Sequence, residues 1–99
     1  MTTDEKVELA MKIGGQLVGI TASEWSKWST YATRYGLSKA LRLAQTMKDS
    51  SSLRPGPKQS YRTIAEVVRR LQRDLEKLPH SDLSEVLGYV RWALFTRGS

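Results

Sequence analysis

Apolar residues along the 99-residue chain recur at intervals of three and four, the period of an amphipathic helix, and no useful stretch alternates with the two-residue period of a strand. The first series is Val7, Ala10, Met11, Leu17 and Val18, with Gly14 on the same face. It predicts a helix capped by Thr3, with Asp4 and Glu5 suited to the positive end of the helix dipole. Gly14, Gly15 and Gly19 each weaken that helix by up to ~1 kcal/mol relative to Ala. They are read as admitting a close neighbouring helix, with a fray or kink at Gly14–Gly15 as the alternative. Thr21-Ala22-Ser23-Glu24 has the form of a capping box. A second helix therefore carries Trp25, Trp28, Ala32 and Tyr35 on one stripe, and Gly36 ends it in a left-handed conformation. The third helix has Leu37, Ala40, Leu41 and Ala44 on one side and Lys39, Arg42 and Thr46 on the other.

Asp49 to Gln59, reading DSSSLRPGPKQ, breaks the periodicity and is expected to be a loop kept basic by Arg54 and Lys58. After it, Ile64, Val67, Val68, Leu71, Leu75 and Leu78 make an almost unbroken apolar stripe on a fourth helix, capped by Ser60 and stopped by Pro79. Arg62, Arg69 and Arg73 fall opposite that stripe, flanked by Arg70 and Lys77. If this is instead a solvated face of a bundle helix, pairs of Glu66 with Arg69 or Arg70, and of Asp74 with Arg73 or Lys77, would soften its field. Ser81 is placed to cap a fifth helix with Leu83, Val86, Leu87, Val90 and Leu94 inward, fraying at Gly98. The expected fold is all-α: a single small helical bundle of about five helices with a long basic loop between the third and fourth. Residues 1–49 hold the N-terminal helices, 50–60 the loop, and 61–97 a C-terminal helical hairpin.

Composition narrows the chemistry. There is no cysteine and one histidine, His80, so disulfides, thiolate zinc sites, cysteine nucleophiles and histidine-rich metal sites are all excluded. His80 lies between Pro79 and Ser81, where a loop or cap role suffices, and Pro79-His80-Ser81-Asp82 cannot stack into a catalytic triad. Gly14-Gly15 lacks the strand and the lysine of a phosphate-binding loop. No catalytic constellation, cofactor or metal is expected. No apolar run is long enough to cross a membrane, and the acidic N-terminus lacks a signal-peptide core, so the expectation is a cytoplasmic protein without membrane contact.

The net charge of +6 is uneven. Residues 27–73 carry eleven Lys and Arg against only Asp49 and Glu66, whereas the flanking segments are slightly acidic. Such a block is an electrostatic footprint for an acidic partner. Lys39, Arg42, Arg54, Lys58, Arg62, Arg69, Arg70 and Arg73 are the candidate nucleic-acid-binding residues, with arginines suited to bidentate phosphate contacts. Trp25, Trp28, Tyr31 and Tyr35 have the spacing of a core stripe, with Trp28, Tyr31 or Tyr61 as alternative platforms for stacked bases. Trp92 falls outside the stripe of the last helix and, with Phe95, is the candidate protein interface.

The segment Tyr31 to Lys48, reading YATRYGLSKALRLAQTMK, resembles part of the small helical subunits of CRISPR effector complexes. Gly36-Leu37, then Ala40-Leu41, open a helix after an aromatic-containing one, as in the small subunit of type III-B complexes. Val86 to Phe95, VLGYVRWALF, is similar to their tryptophan-bearing terminal helix. The likeness covers roughly a third of the chain; the glycine-rich first helix and Arg54-Pro55-Gly56-Pro57 depart from it. It implies several copies stacked along a larger complex, lining a groove for a guide–target duplex or a displaced strand. On this chain Lys39, Arg42, Arg62, Arg69, Arg70 and Arg73 match by charge and face. The expected function is a non-catalytic small subunit that holds nucleic-acid backbone without reading sequence, its partners being nucleic acid, larger subunits and copies of itself. The alternatives are a helix-turn-helix DNA-binding regulator built around Tyr35-Gly36-Leu37-Ser38 and an adaptor for an acidic protein.

Overall fold

Residues 1–50 and 54–97 are described by the computed structural model, and they form five helices. These are α1 (Thr3–Gln16), α2 (Ala22–Tyr35), α3 (Leu37–Lys48), α4 (Pro55–Glu76) and α5 (His80–Arg97). Ser51 to Leu53 of the expected loop, and Gly98, lie outside the described residues. The helix starts show how local chemistry sets the boundaries. The cap of α1 is Thr2 rather than Thr3: its hydroxyl accepts from Glu5 N–H while the Glu5 carboxylate accepts from Thr2 N–H, a complete capping box. Thr21 and Glu24 make the same reciprocal pair at α2. A single residue, Gly36, joins α2 to α3 at φ +98°, a backbone region that only glycine enters without strain.

The Pro55-Gly56-Pro57 segment is the first turn of α4, not loop. The first four amides of a helix have no internal partner, so a proline there loses no bond, and its fixed φ suits the turn. Ser60 is therefore interior to α4. It does not cap the helix but lies buried, donating to Glu24 across the seam with α2 and accepting nothing from its own N-terminus. Ser81 likewise sits inside the first turn of α5, which opens at His80.

Chief packing pairs run in the order α1–α5, α5–α2, α2–α3 and α3–α4, so α1 and α4 occupy opposite ends of the series. Trp25 and Trp28 lie at its middle, fully buried, with ring centroids 5.1 Å apart. The Trp25 indole N–H donates to the Leu87 carbonyl of α5 at 2.9 Å, and that of Trp28 donates to the Ala40 carbonyl of α3 at 2.8 Å. The expected inward residues of α3, α4 and α5 are buried, except that Leu78 is half-buried beyond the end of α4. Tyr35 leaves the stripe expected of it; it is half-exposed and packs its ring on Tyr31 at 4.7 Å.

The face of α1 is rotated from the expected one. Ala10, Ile13, Gly14 and Leu17 are buried, whereas Val7, Met11 and Val18 are exposed. Two contacts fix this orientation. A Cβ on Gly14 would meet Ala93 of α5 at 3.4 Å, so the expected close approach is real and α1 continues through it to Gln16. At the other end the Lys6 ammonium, buried, binds Glu85 at 2.8 Å and Asp82 at 3.1 Å, with the chain N-terminus 3.9 Å from Asp82. Hydrogen bonds donated to Glu85 first and Asp82 second push Lys6 above its ordinary value. Since Lys6 meets the start of α5 and Gly14 its later turns, α1 and α5 run parallel.

Trp28→Ala is expected to cost about 3–5 kcal/mol and Leu71→Ala about 2–5 kcal/mol in denaturant unfolding, because both side chains are buried in one core. Burial pushes Glu24 up, but hydrogen bonds from Ser60 and Thr21 and the nearby Lys27 charge outweigh it, leaving the carboxyl below its ordinary 4.5. A depressed carboxyl stabilises the fold above its unfolded value and loses that contribution as pH falls through the folded one. The stability gap between wild type and Glu24→Gln, full at neutral pH, should therefore close as pH falls below 4.5, measured by urea unfolding across pH.

Candidate nucleic-acid interface

The outward face of α4 follows from the stripe that buries the other. With Ile64, Val67, Val68, Leu71 and Leu75 inside, Arg62, Arg69, Arg70, Arg73 and Lys77 point away and are exposed. None of these cations is in an ion pair among the described residues; the ion pairs involve only Lys6 and the N-terminus on the basic side. The pairings of Glu66 with Arg69 or Arg70, and of Asp74 with Arg73 or Lys77, do not form. Glu76 instead accepts from Gln72 at 2.8 Å. Arg69, Arg70, Gln72, Arg73 and Glu76 line an open depression of about 480 Å³. Arginine stays charged at every accessible pH, so α4 presents a permanent positive field that no neighbouring carboxylate neutralises directly.

Lys39 and Arg42 are exposed on the outward side of α3, the helix packed against α4. Arg54 stands exposed at the N-cap of α4, and Lys58 is half-buried in its first turns. The predicted residues thus gather on two adjoining helices and the turn between them. One further cation joins them: Lys27 of α2 lines a small cleft of about 110 Å³ with Pro57, Tyr61 and Glu24 at the α2–α4 seam. Its position three residues past the capping box, on the side away from Trp25 and Trp28, is the signal in the sequence.

Arginines also lie elsewhere. Arg34 and Arg91 line a groove of about 580 Å³ between α2 and α5 with Ser26, Ser29, Thr30 and Thr33. Two of its hydroxyls are turned inward: Ser29 donates to the Ser26 carbonyl and Thr33 to the Ser29 carbonyl. Of the stacking candidates, Trp28 is excluded by complete burial, while Tyr31 and Tyr61 are half-buried. Trp92 and Phe95 are exposed, as their place outside the α5 stripe predicts. Among the described residues no cluster of acids and His80 is placed to hold a metal ion, and no helix is long and apolar enough to cross a membrane. The single-residue link at Gly36 departs from the three- or four-residue turn of a helix-turn-helix.

No protein-family model matches the chain, and comparison with curated proteins and solved structures finds no match.

Arg69 and Arg73, one turn apart without an acidic partner, repel each other by a few tenths of a kcal/mol. Raising salt from about 20 mM to about 0.5 M should screen the cluster and raise the thermal midpoint. Arg69→Gln with Arg73→Gln should leave a smaller salt response and a stability within about 1 kcal/mol of wild type.

Proposed function

We propose that this chain is a non-catalytic subunit that holds nucleic-acid backbone through the outward faces of α3 and α4, as part of a larger ribonucleoprotein of the CRISPR-effector kind. The observation that carries it is the exposed arginine row of α4, whose charges have no ion-pair partner among the described residues. Unpaired surface guanidiniums are available to phosphates without first breaking an internal bond, and each contact made releases a counterion. Arginine forks suit phosphate oxygens, and contacts to phosphate carry no sequence information directly. Lys27, Lys39, Arg42, Arg54, Lys58 and Arg62 extend the surface around this row. Trp92 and Phe95, at the far side of the helix series, supply the assembling surface.

Fluorescence anisotropy with labelled single strands and duplexes of RNA and DNA tests this directly. Binding should be indifferent to sequence and fall with salt, with a log–log slope of about −3 to −5 for four to six phosphate contacts. Arg69→Glu with Arg73→Glu should weaken it at least about 10-fold with helicity unchanged. Wild-type affinity in that variant, or a strong preference for one duplex sequence, contradicts the proposal.

A further inference from the structure

The parallel pair α1–α5 leaves an apolar groove of about 720 Å³ on its outer side, lined by Val7, Met11, Gly88, Tyr89, Trp92 and Thr96 among others. Val7 is 40% exposed, Met11 60%, Trp92 72% and Phe95, one turn from Trp92, 71%. Gly88 sits in the interior of α5, where glycine weakens a helix, yet a Cβ there would meet nothing within 4 Å. Among the described residues no neighbour requires that glycine.

We propose that a second copy of this chain covers the groove, forming a two-fold dimer in which the α1–α5 pairs of the two copies cross antiparallel. Charge complementarity selects this occupant. On α1, Val7-Glu8 and Met11-Lys12 are two apolar–charged doublets one helical turn apart, all four exposed. Reversed by a two-fold axis, the pattern matches itself: Val7 meets Met11 of the other copy, and Glu8 meets its Lys12. Neither Glu8 nor Lys12 is in an ion pair within its own chain among the described residues. The contacts Lys6–Glu85 and Gly14–Ala93 fix how α1 lies along α5, and the level midway between them is Ala10 on α1 and Tyr89, next to Gly88, on α5. The axis that pairs Glu8 with Lys12 passes at that level. Gly88 then lies where the two copies approach most closely, and Trp92 swings into the groove beside the other copy's Val7. Burying two exposed aromatics supplies on the order of 300 Å² toward the roughly 800 Å² per partner of a stable interface, the flanking aliphatic and charged side chains adding the rest. The dimer places the two α4 arginine faces at its distal ends. It rests on the assembly part of the proposed function and not on its nucleic-acid part, and it is measured without nucleic acid.

Sedimentation equilibrium of the full chain should give twice the 11.2 kDa monomer mass. Gly88→Leu, which has open space in the monomer, and Trp92→Ser should keep the helical circular dichroism and raise the dimer dissociation constant at least about 30-fold. Glu8→Lys should weaken the dimer, and Glu8→Lys with Lys12→Glu should restore it, because the exchanged charges again meet their opposites. A monomer up to about 1 mM overturns the proposal, leaving the groove to a different protein. A dimer indifferent to Gly88→Leu and Trp92→Ser, or a double charge exchange that fails to restore association, overturns it equally. The monomeric Gly88→Leu variant, titrated with nucleic acid, reports on α3 and α4 separately.

Discussion

The two buried tryptophans of α2 hold the molecule together. Each presents a large apolar body to the core and a single indole N–H that must find an acceptor when dry. Trp25 finds the Leu87 carbonyl and Trp28 the Ala40 carbonyl, so one helical turn of α2 is tied on one side to α5 and on the other to α3. The remaining helices hang from these two: α1 lies parallel on α5, and α4 lies on α3. In so small a domain, two such side chains anchor a large share of the apolar area removed from water, and their directional bonds fix which helices become neighbours.

This arrangement separates two surfaces of opposite character. At one end α3 and α4 turn their charged sides outward, and the arginine row stands without the acidic partners its own helix offers in sequence. At the other end the α1–α5 pair is bound internally by Lys6, whose buried ammonium pairs with Asp82 and Glu85. Val7, Met11, Trp92 and Phe95 remain exposed there, among charged side chains such as Glu8 and Lys12. The basic face at one end of the helix series and the exposed apolar side chains at the other are the two features on which the proposed function and the proposed dimer rest.

Much of this was legible in the sequence. The α3, α4 and α5 stripes could be read from spacing alone, because each has four or more aliphatic residues in register, with cationic residues opposite them on α3 and α4. Gly36 and the Thr21–Glu24 box were equally plain, since each does its work within a few residues. The misreadings share a cause: they depended on what lay across the chain. Val7 and Met11 have the right period for a core face, but Lys6 docks on α5 and rotates α1 away from them. Ser60 has the type of a cap, yet the prolines before it continue the helix upstream and leave it facing Glu24. Pro55-Gly56-Pro57 reads as a breaker in isolation and serves as a first turn because helix starts need no donors. The absent Glu66 and Asp74 pairs could not be foreseen from spacing, which permits them without requiring them.

The proposed function requires phosphate to meet the α3–α4 end of the surface and not the α1–α5 end. Amide chemical shifts of the ¹⁵N-labelled chain, followed while an unlabelled oligonucleotide is added at low salt, test that division residue by residue. The account predicts perturbations concentrated at Lys39, Arg42, Arg62, Arg69, Arg70 and Arg73, reversed by added salt, with Val7, Met11, Gly88 and Trp92 unmoved. Perturbations centred on α1 and α5, or none on α4, would contradict it.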